Sequence, residues 1–267
     1  MSRNAKTNVV FLIDVDNTLL DNDRIIADLR DHLDSALGVI RSARYWIAFE
    51  ALRSELGYAD YLGALQRSRA DAERDGEDNE QLLLMSSFLI DYPFAERLYP
   101  GALDVIAHLS RSGPTVILSD GDVVFQPRKV QRSGLWGAVG GRVLIYVHKE
   151  LMLDAVQRLH PAHHYVMIDD KPRLLGAMKA VLGDRLTTVM PRQGHYALDP
   201  ANSSLYPVPD VVVEHIHDLL DMGASPLFAR VPRASNAIDP IQNIRTKRIH
   251  GFGPLSYEHN WHDQQGR

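Results

Sequence analysis

The stretch Val9-Val10-Phe11-Leu12-Ile13-Asp14-Val15-Asp16-Asn17-Thr18 organises the reading of the whole chain. Its first five residues are all apolar, and they lack the apolar–polar alternation of a strand that wets one face. They predict a strand buried on both sides, as in a parallel sheet covered by helices. Asp14 and Asp16 then stand at the carboxyl end of that strand. In an open parallel sheet this is the end where ligands bind.

Downstream, residues 21–98 change character. Ile25, Ile26, Leu29, Leu33, Leu37 and Ile40 recur at helical spacing, and Tyr45–Leu56, Tyr58–Ala72 and Glu80–Ile90 repeat the pattern. No strand pattern interrupts them, so an all-helical unit is expected here. Its aromatics, Tyr45, Trp46, Phe49 and Tyr61, read as helix core rather than as a ligand box.

From Pro100 the rhythm alternates. Helices are predicted over Gly101–Ser112, Phe125–Ser133, Glu150–Leu159 and Leu174–Leu182. Strands are predicted over Thr115–Leu118, Arg142–Val147, Tyr165–Ile168, Leu186–Met190 and Val211–Val213, with a closing helix at Ile216–Leu220. Such alternation implies an α/β fold, a parallel sheet with helices on both faces. Residues 1–20 and 99–222 would form one core and 21–98 an inserted helical cap. Residues 223–267 form an irregular extension whose segment from Pro226 carries six Lys or Arg against three Asp or Glu.

Composition bounds the function. The 267 residues are 45% hydrophobic and 24% charged, which excludes wholesale disorder. A net charge of −5 disfavours a nucleic-acid partner that needs a broad basic surface. The absence of cysteine excludes disulfides, thiolate catalysis and cysteine-bound zinc. The early apolar run is too short for a signal-peptide core or a bilayer span, so a cytoplasmic protein without a membrane partner is expected.

Four of the predicted strands end in reactive polar groups: Asp14 and Asp16, then Ser119, then Lys149, then Asp169 and Asp170. One acid after a strand is usually a helix cap; four such endings in one sheet suggest a site. The groups suit phosphoryl transfer. A carboxylate can attack phosphorus, a second acid can move the proton of the leaving oxygen, and a hydroxyl, an ammonium and backbone N–H groups near Asn17 and Asp120 can hold phosphoryl oxygens. Because carboxylate and phosphate repel, such a site needs cations, which Lys149 and a Mg²⁺ ion on several oxygen ligands would supply.

These residues carry a family resemblance. Asp14-Val15-Asp16-Asn17-Thr18-Leu19, Ile117-Leu118-Ser119-Asp120-Gly121, Lys149 before a helix, and Ile168-Asp169-Asp170 resemble, in order, the motifs of the haloacid dehalogenase-like hydrolase superfamily. Tyr99-Pro100-Gly101-Ala102 resembles its re-entry segment after a helical cap. The resemblance spans about residues 9–220 and implies a Rossmann-like core with a helical cap. It further implies that Asp14 is the nucleophile and a Mg²⁺ ligand, and that Asp16 is the general acid/base with its carbonyl on the metal. Ser119 and Lys149 would bind the phosphoryl group, Thr18 would help position the nucleophile, and Asp170, with Asp169, would hold Mg²⁺. Lys129 is the rival for the role of Lys149, and a helix cap is the rival role for Asp169. Asn17 and Asp120 stand where many relatives carry Gly and Asn; they are taken as part of the phosphate-binding set, although a carboxylate at position 120 adds negative charge beside a phosphate. Leu174 stands where the fourth motif often has a further acid.

The expected function is Mg²⁺-dependent hydrolysis of a small phosphorylated metabolite through an aspartyl-phosphate. The alternatives are a haloacid dehalogenase, a phosphomutase and a catalytically degenerate, binding-only relative. Arg41, Arg44 and Arg53 could meet an acidic substrate or be surface charges. The histidines at 160, 163, 164, 215 and 217 read as solvated or capping residues rather than zinc ligands.

Overall fold

The computed structural model describes residues 9–76 and 80–222. The expectations for the basic tail lie outside the described residues. The first strand is β1 (Val9–Ile13), and the chain then leaves the sheet for α1 (Asn22–Leu37), α2 (Val39–Leu56), α3 (Tyr61–Arg74) and α4 (Glu80–Asp91). It returns through a short 3₁₀ turn at Phe94–Arg97 to α5 (Ala102–Leu109) and β2 (Thr115–Asp120). There follow α6 (Phe125–Arg132), α7 (Leu135–Ala138), β3 (Val143–Tyr146), α8 (Leu153–Leu159), β4 (His164–Ile168) and α9 (Pro172–Leu182). The last elements are β5 (Leu186–Pro191), α10 (Gly194–Leu198), α11 (Pro200–Leu205) and β6 (Val211–Val213), and a 3₁₀ turn at Ile216–Leu220 closes the order.

All six strands run parallel in the order β3-β2-β1-β4-β5-β6. The five apolar residues of β1 are fully buried at its centre, with Ile13 opposite Ile117 on one side and Ile168 on the other. Because side chains alternate along a strand, Val9, Phe11 and Ile13 enter one apolar layer, while Val10 and Leu12 enter the other. A sheet with a hydrophobic layer on each face leaves its strand ends as the place for polar groups. Among the described residues no helix is long and apolar enough to cross a membrane.

The insertion departs in detail from the expected spans. Helix α3 starts at Tyr61 rather than Tyr58, because Asp60 caps it by accepting from the Gly63 N–H at 2.7 Å and left-handed Gly57 ends α2. Likewise Asp21 caps α1 through the Arg24 N–H. The segment expected as one helix over Glu150–Leu159 begins with a 3₁₀ turn at Lys149–Leu151, and α10 and α11 have no counterpart in the sequence reading. Both connections to the insertion run side by side. Leu20 bridges Leu98 antiparallel, Asp21 N–H donates to Arg97 O, and Tyr99 N–H donates to Leu19 O. Beside them Asp28 of α1 accepts hydrogen bonds from Tyr92 Oη and from Arg97 Nε and Nη2, which fixes the base of the insertion.

Candidate active site

Asp14 follows directly on β1, and its N–H donates to Ile168 O, which places it beside the end of β4. The turn after it is tight: Leu19 and Leu20 N–H both reach back to Val15 O, and Asn17 adopts φ 60°. Asn is among the few residues that tolerate that left-handed conformation. The Asn17 N–H is used on Leu20 O, and its side-chain oxygen accepts from the Asn22 and Asp23 N–H groups at the start of α1. Asn17 therefore forms the turn that leads into the insertion, and it also lines the cleft beside Asp16.

Lys149 is completely buried and sits at the centre of the acidic residues. Its Nζ lies 2.6 Å from Asp14 Oδ1, 2.7 Å from Asp169 Oδ2 and 3.2 Å from Leu118 O. Lys129, the rival by sequence, occupies a different place. Its Nζ grips both carboxylate oxygens of Asp16, at 2.8 and 3.0 Å, and also reaches Asn22 Oδ1. Each of the first two acids thus has its own lysine.

The remaining residues knit the strand ends together. Thr18 Oγ1 accepts from the Asp170 N–H, tying the first loop to the fourth. Asp169 does two things: its Oδ1 accepts from the Lys171 N–H, as a turn cap would, and its Oδ2 meets Lys149. Ser119 Oγ accepts from Gln126 Nε2 at 3.0 Å. Asp120 Oδ1 accepts from the Lys149 backbone N–H at 2.8 Å, so the carboxylate anchors the lysine loop while also lining the cleft. This contact accounts for an acid at a position where a negative charge beside phosphate was hard to explain.

The electrostatics differ between the acids. Burial would raise the Asp14 carboxyl, but the Lys149 and Lys171 ammonium groups overcome it and hold it below the ordinary carboxylate range. Asp170 goes the other way: burial, with the neighbouring Asp169 charge, pushes its carboxyl well above that range. Burial also raises Asp120. Asp14 Oδ2 and both oxygens of Asp170 are buried without a hydrogen-bond partner among the described residues. Carboxylate oxygens of Asp14, Asp169 and Asp170 lie within 4.8 Å of one another. Buried polar atoms are normally partnered, and hard oxygen donors clustered in this way fit a divalent cation.

The insertion and the strand ends share a cleft of about 280 Å³. Asp16, Asp120, Lys129 and Lys171 line it from the core, and Arg30, Trp46, Phe49, Arg53 and Tyr61 line it from the insertion. The aromatics read as helix core are partly that, since Tyr45, Phe49 and Tyr61 are buried, but Trp46, Phe49 and Tyr61 also form cleft wall. Of the three arginines singled out by sequence only Arg53 lines the cleft, paired there with Glu50; Arg44 faces Asp75 at 3.6 Å. Lys171, His195 and Tyr196 escaped the sequence reading. A lysine immediately after the Asp169-Asp170 pair was the available signal for the first, but α10, which carries the other two, has no periodic pattern. His164, expected as solvated, is buried on β4 against Thr187 Oγ1.

The model of the haloacid dehalogenase-like hydrolase family matches residues 9–181, from β1 to the end of α9. The chain belongs to that family. The hydrolase is 64% identical to a haloacid dehalogenase-like hydrolase of Burkholderia xenovorans whose crystal structure is solved, with a TM-score of 0.77 over 83% of this chain and 99% of that one. At 17% identity and a TM-score of 0.54 it shares its fold with the hydrolase YfnB of Bacillus subtilis, crystallised with magnesium, over 81% and 98% of the two chains. It shares it also with the L-2-haloacid dehalogenase of Xanthobacter autotrophicus, at 19% identity and a TM-score of 0.50 over 85% and 100%. No curated protein matches the sequence significantly. Proteins of this fold thus include a dehalogenase as well as other hydrolases, and this chain's own residues must distinguish among the activities.

Proposed function

We propose that this hydrolase is a Mg²⁺-dependent phosphatase of small phosphorylated metabolites that works through an aspartyl-phosphate. The observation that carries the reading is the set of buried, unpartnered oxygens on Asp14 and Asp170 beside a second acid, Asp16. Displacing halide from a neutral carbon needs a carboxylate nucleophile but neither a second acid nor a cation. A phosphate ester, itself an anion, calls for both. Asp14 and Asp170 would hold the ion, with Asp169 and the Asp16 carbonyl at its edge. When bound, Mg²⁺ would supply positive charge that offsets the repulsion between Asp14 and the phosphate.

In this reading a carboxylate oxygen of Asp14 attacks phosphorus, the P–O bond to the alcohol breaks, and the leaving oxygen takes a proton from Asp16. Asp16 then takes a proton from water, the water oxygen attacks the phosphoryl group, and Asp14 is regenerated as inorganic phosphate leaves. Ser119 Oγ and Lys149 Nζ donate to phosphoryl oxygens. Lys129 Nζ grips both carboxylate oxygens of Asp16, so proton donation from Asp16 requires that pairing to loosen. Residues 21–98 act as a cap over a core of 1–20 and 99–222, excluding water and contacting the non-phosphate part of the substrate.

The test is phosphate release from p-nitrophenyl phosphate and a panel of phosphorylated metabolites, with Mg²⁺ and with EDTA. Release with Mg²⁺ that stops with EDTA is expected. Metal-independent chloride release from 2-chloropropionate without phosphate release would move the protein to the dehalogenases. Neither activity would mark it as a binding-only relative.

A further inference from the structure

Two cations in the cleft make no direct ion pair with a carboxylate among the described residues. Lys171, on the core side just after β4, has its Nζ 5.3 Å from the centre of the Tyr196 ring, and that ammonium makes no hydrogen bond or ion pair among the described residues. Arg30, on the insertion side, lies with its guanidinium carbon 4.5 Å from the centre of the Trp46 ring, and no acid among the described residues pairs with it. The other cleft cations are already compensated, Lys129 by Asp16 and Arg53 by Glu50. An aromatic face beneath a cation leaves the charge available to an anion while restricting where it sits.

The two cations are not equivalent. Lys171 follows Asp170 directly, its N–H is held by Asp169, and it lines the cleft with Asp16 and Asp120, so it belongs to the phosphoryl end. Arg30 lines the wall that α1 and α2 contribute from the insertion, over the Trp46 ring. Between the two sides runs a chain of rings from insertion to core. Phe49 stacks on Tyr61 with centroids 4.8 Å apart, and Tyr61 meets Phe125 at 5.1 Å. Such walls favour a flat, apolar body. The cleft, at about 280 Å³, is at the small end of ligand sites and suits one ring rather than a nucleotide. A single guanidinium opposite matches a carboxylate, which it can hold in a bidentate pair, better than a second phosphate, whose larger charge it would meet alone.

We infer that the substrate is a phosphomonoester with a flat body and a carboxylate at its other end, the carboxylate bound by Arg30 and the phosphoryl end drawn in by Lys171. This rests on the phosphatase reading for the chemistry at Asp14. It does not rest on that reading for the anion subsite itself, which a binding measurement can examine alone.

The experiment uses the full chain with Mg²⁺ and titrates three non-hydrolysable probes by calorimetry, benzylphosphonate and its 3- and 4-carboxylated derivatives. At least one carboxylated isomer should bind about ten-fold or more tightly than benzylphosphonate, the value of one charge-assisted hydrogen-bonded contact. Arg30→Gln should bring that isomer to within about two-fold of benzylphosphonate. Equal affinity of all probes for the wild type, binding of none, or a carboxylate preference that survives Arg30→Gln would overturn the inference. Phosphate release from phenyl phosphate, measured alongside, separates the two claims. A protein that discriminates the probes but hydrolyses no ester keeps the anion subsite and loses the phosphatase reading.

Discussion

Replacing Lys149 with methionine should destabilise the fold as well as the site. Its ammonium is buried, 2.6 Å from Asp14, 2.7 Å from Asp169 and 3.2 Å from Leu118 O. Methionine nearly preserves the volume, so the loss is chiefly one of charge: two buried carboxylates lose their direct ion pair. Breaking a buried pair by removing one partner costs about 3–5 kcal/mol, against a total stability of about 5–15 kcal/mol for a typical domain. At about 2–4 °C per kcal/mol for a domain of 150–250 residues, the midpoint should fall by about 6–20 °C. The measurements are thermal melting for the midpoint and urea denaturation for the free energy, both followed by tryptophan fluorescence in EDTA so that no divalent ion takes the place of the ammonium. Adding Asp14→Asn removes one of the stranded charges, so the double variant should be more stable than Lys149→Met by about 1 kcal/mol or more, within the coupling expected of contacting groups. A cost under about 1 kcal/mol for Lys149→Met, or a double variant less stable than the single one, would show that the acids do not depend on this lysine.

Asp14→Asn should fold, since Lys149 keeps Asp169, yet show no turnover; retained phosphatase activity would remove Asp14 from the mechanism. Asp16→Asn should slow hydrolysis of substrates with poor leaving groups by about 10²–10⁴-fold, and an unchanged rate with such a substrate would sink its proton-transfer role. Asp170→Asn should raise the Mg²⁺ concentration needed for half-maximal activity more than Asp169→Asn, because both Asp170 oxygens lack a hydrogen-bond partner among the described residues while Asp169 already serves Lys149 and Lys171; equal shifts would mean that both acids meet the metal alike. Gly194→Ala should cost about 1–3 kcal/mol and disturb the nucleophile loop, since Gly194 has φ 68° and an added methyl would fall 2.4 Å from Asn17 Cβ; a variant of wild-type stability by thermal melting would contradict that contact.

The central strand, its two-faced burial and the delivery of four motifs to the strand ends were determined by local pattern. Val9–Ile13 carries no polar side chain to expose, so only a doubly covered strand suits it, and a parallel sheet then puts Asp14, Ser119, Lys149 and Asp169 at one edge. The helical insertion was legible for the same reason, because residues spaced three and four apart share a face whatever the fold. What those polar groups do to one another depended on tertiary distances, which spacing along the chain does not encode. Lys129 and Lys149 look alike as lysines near helices; only packing gives the first to Asp16 and the second to Asp14 and Asp169. Asp120 became intelligible once its carboxylate met a backbone N–H 29 residues away. The cleft belonged wholly to the tertiary structure. Arg30, Trp46, Lys171 and Tyr196 come from four separate segments, and each is unremarkable in its own stretch of sequence. They come together because the crossing at Leu20 and Leu98 sets the insertion beside the strand ends.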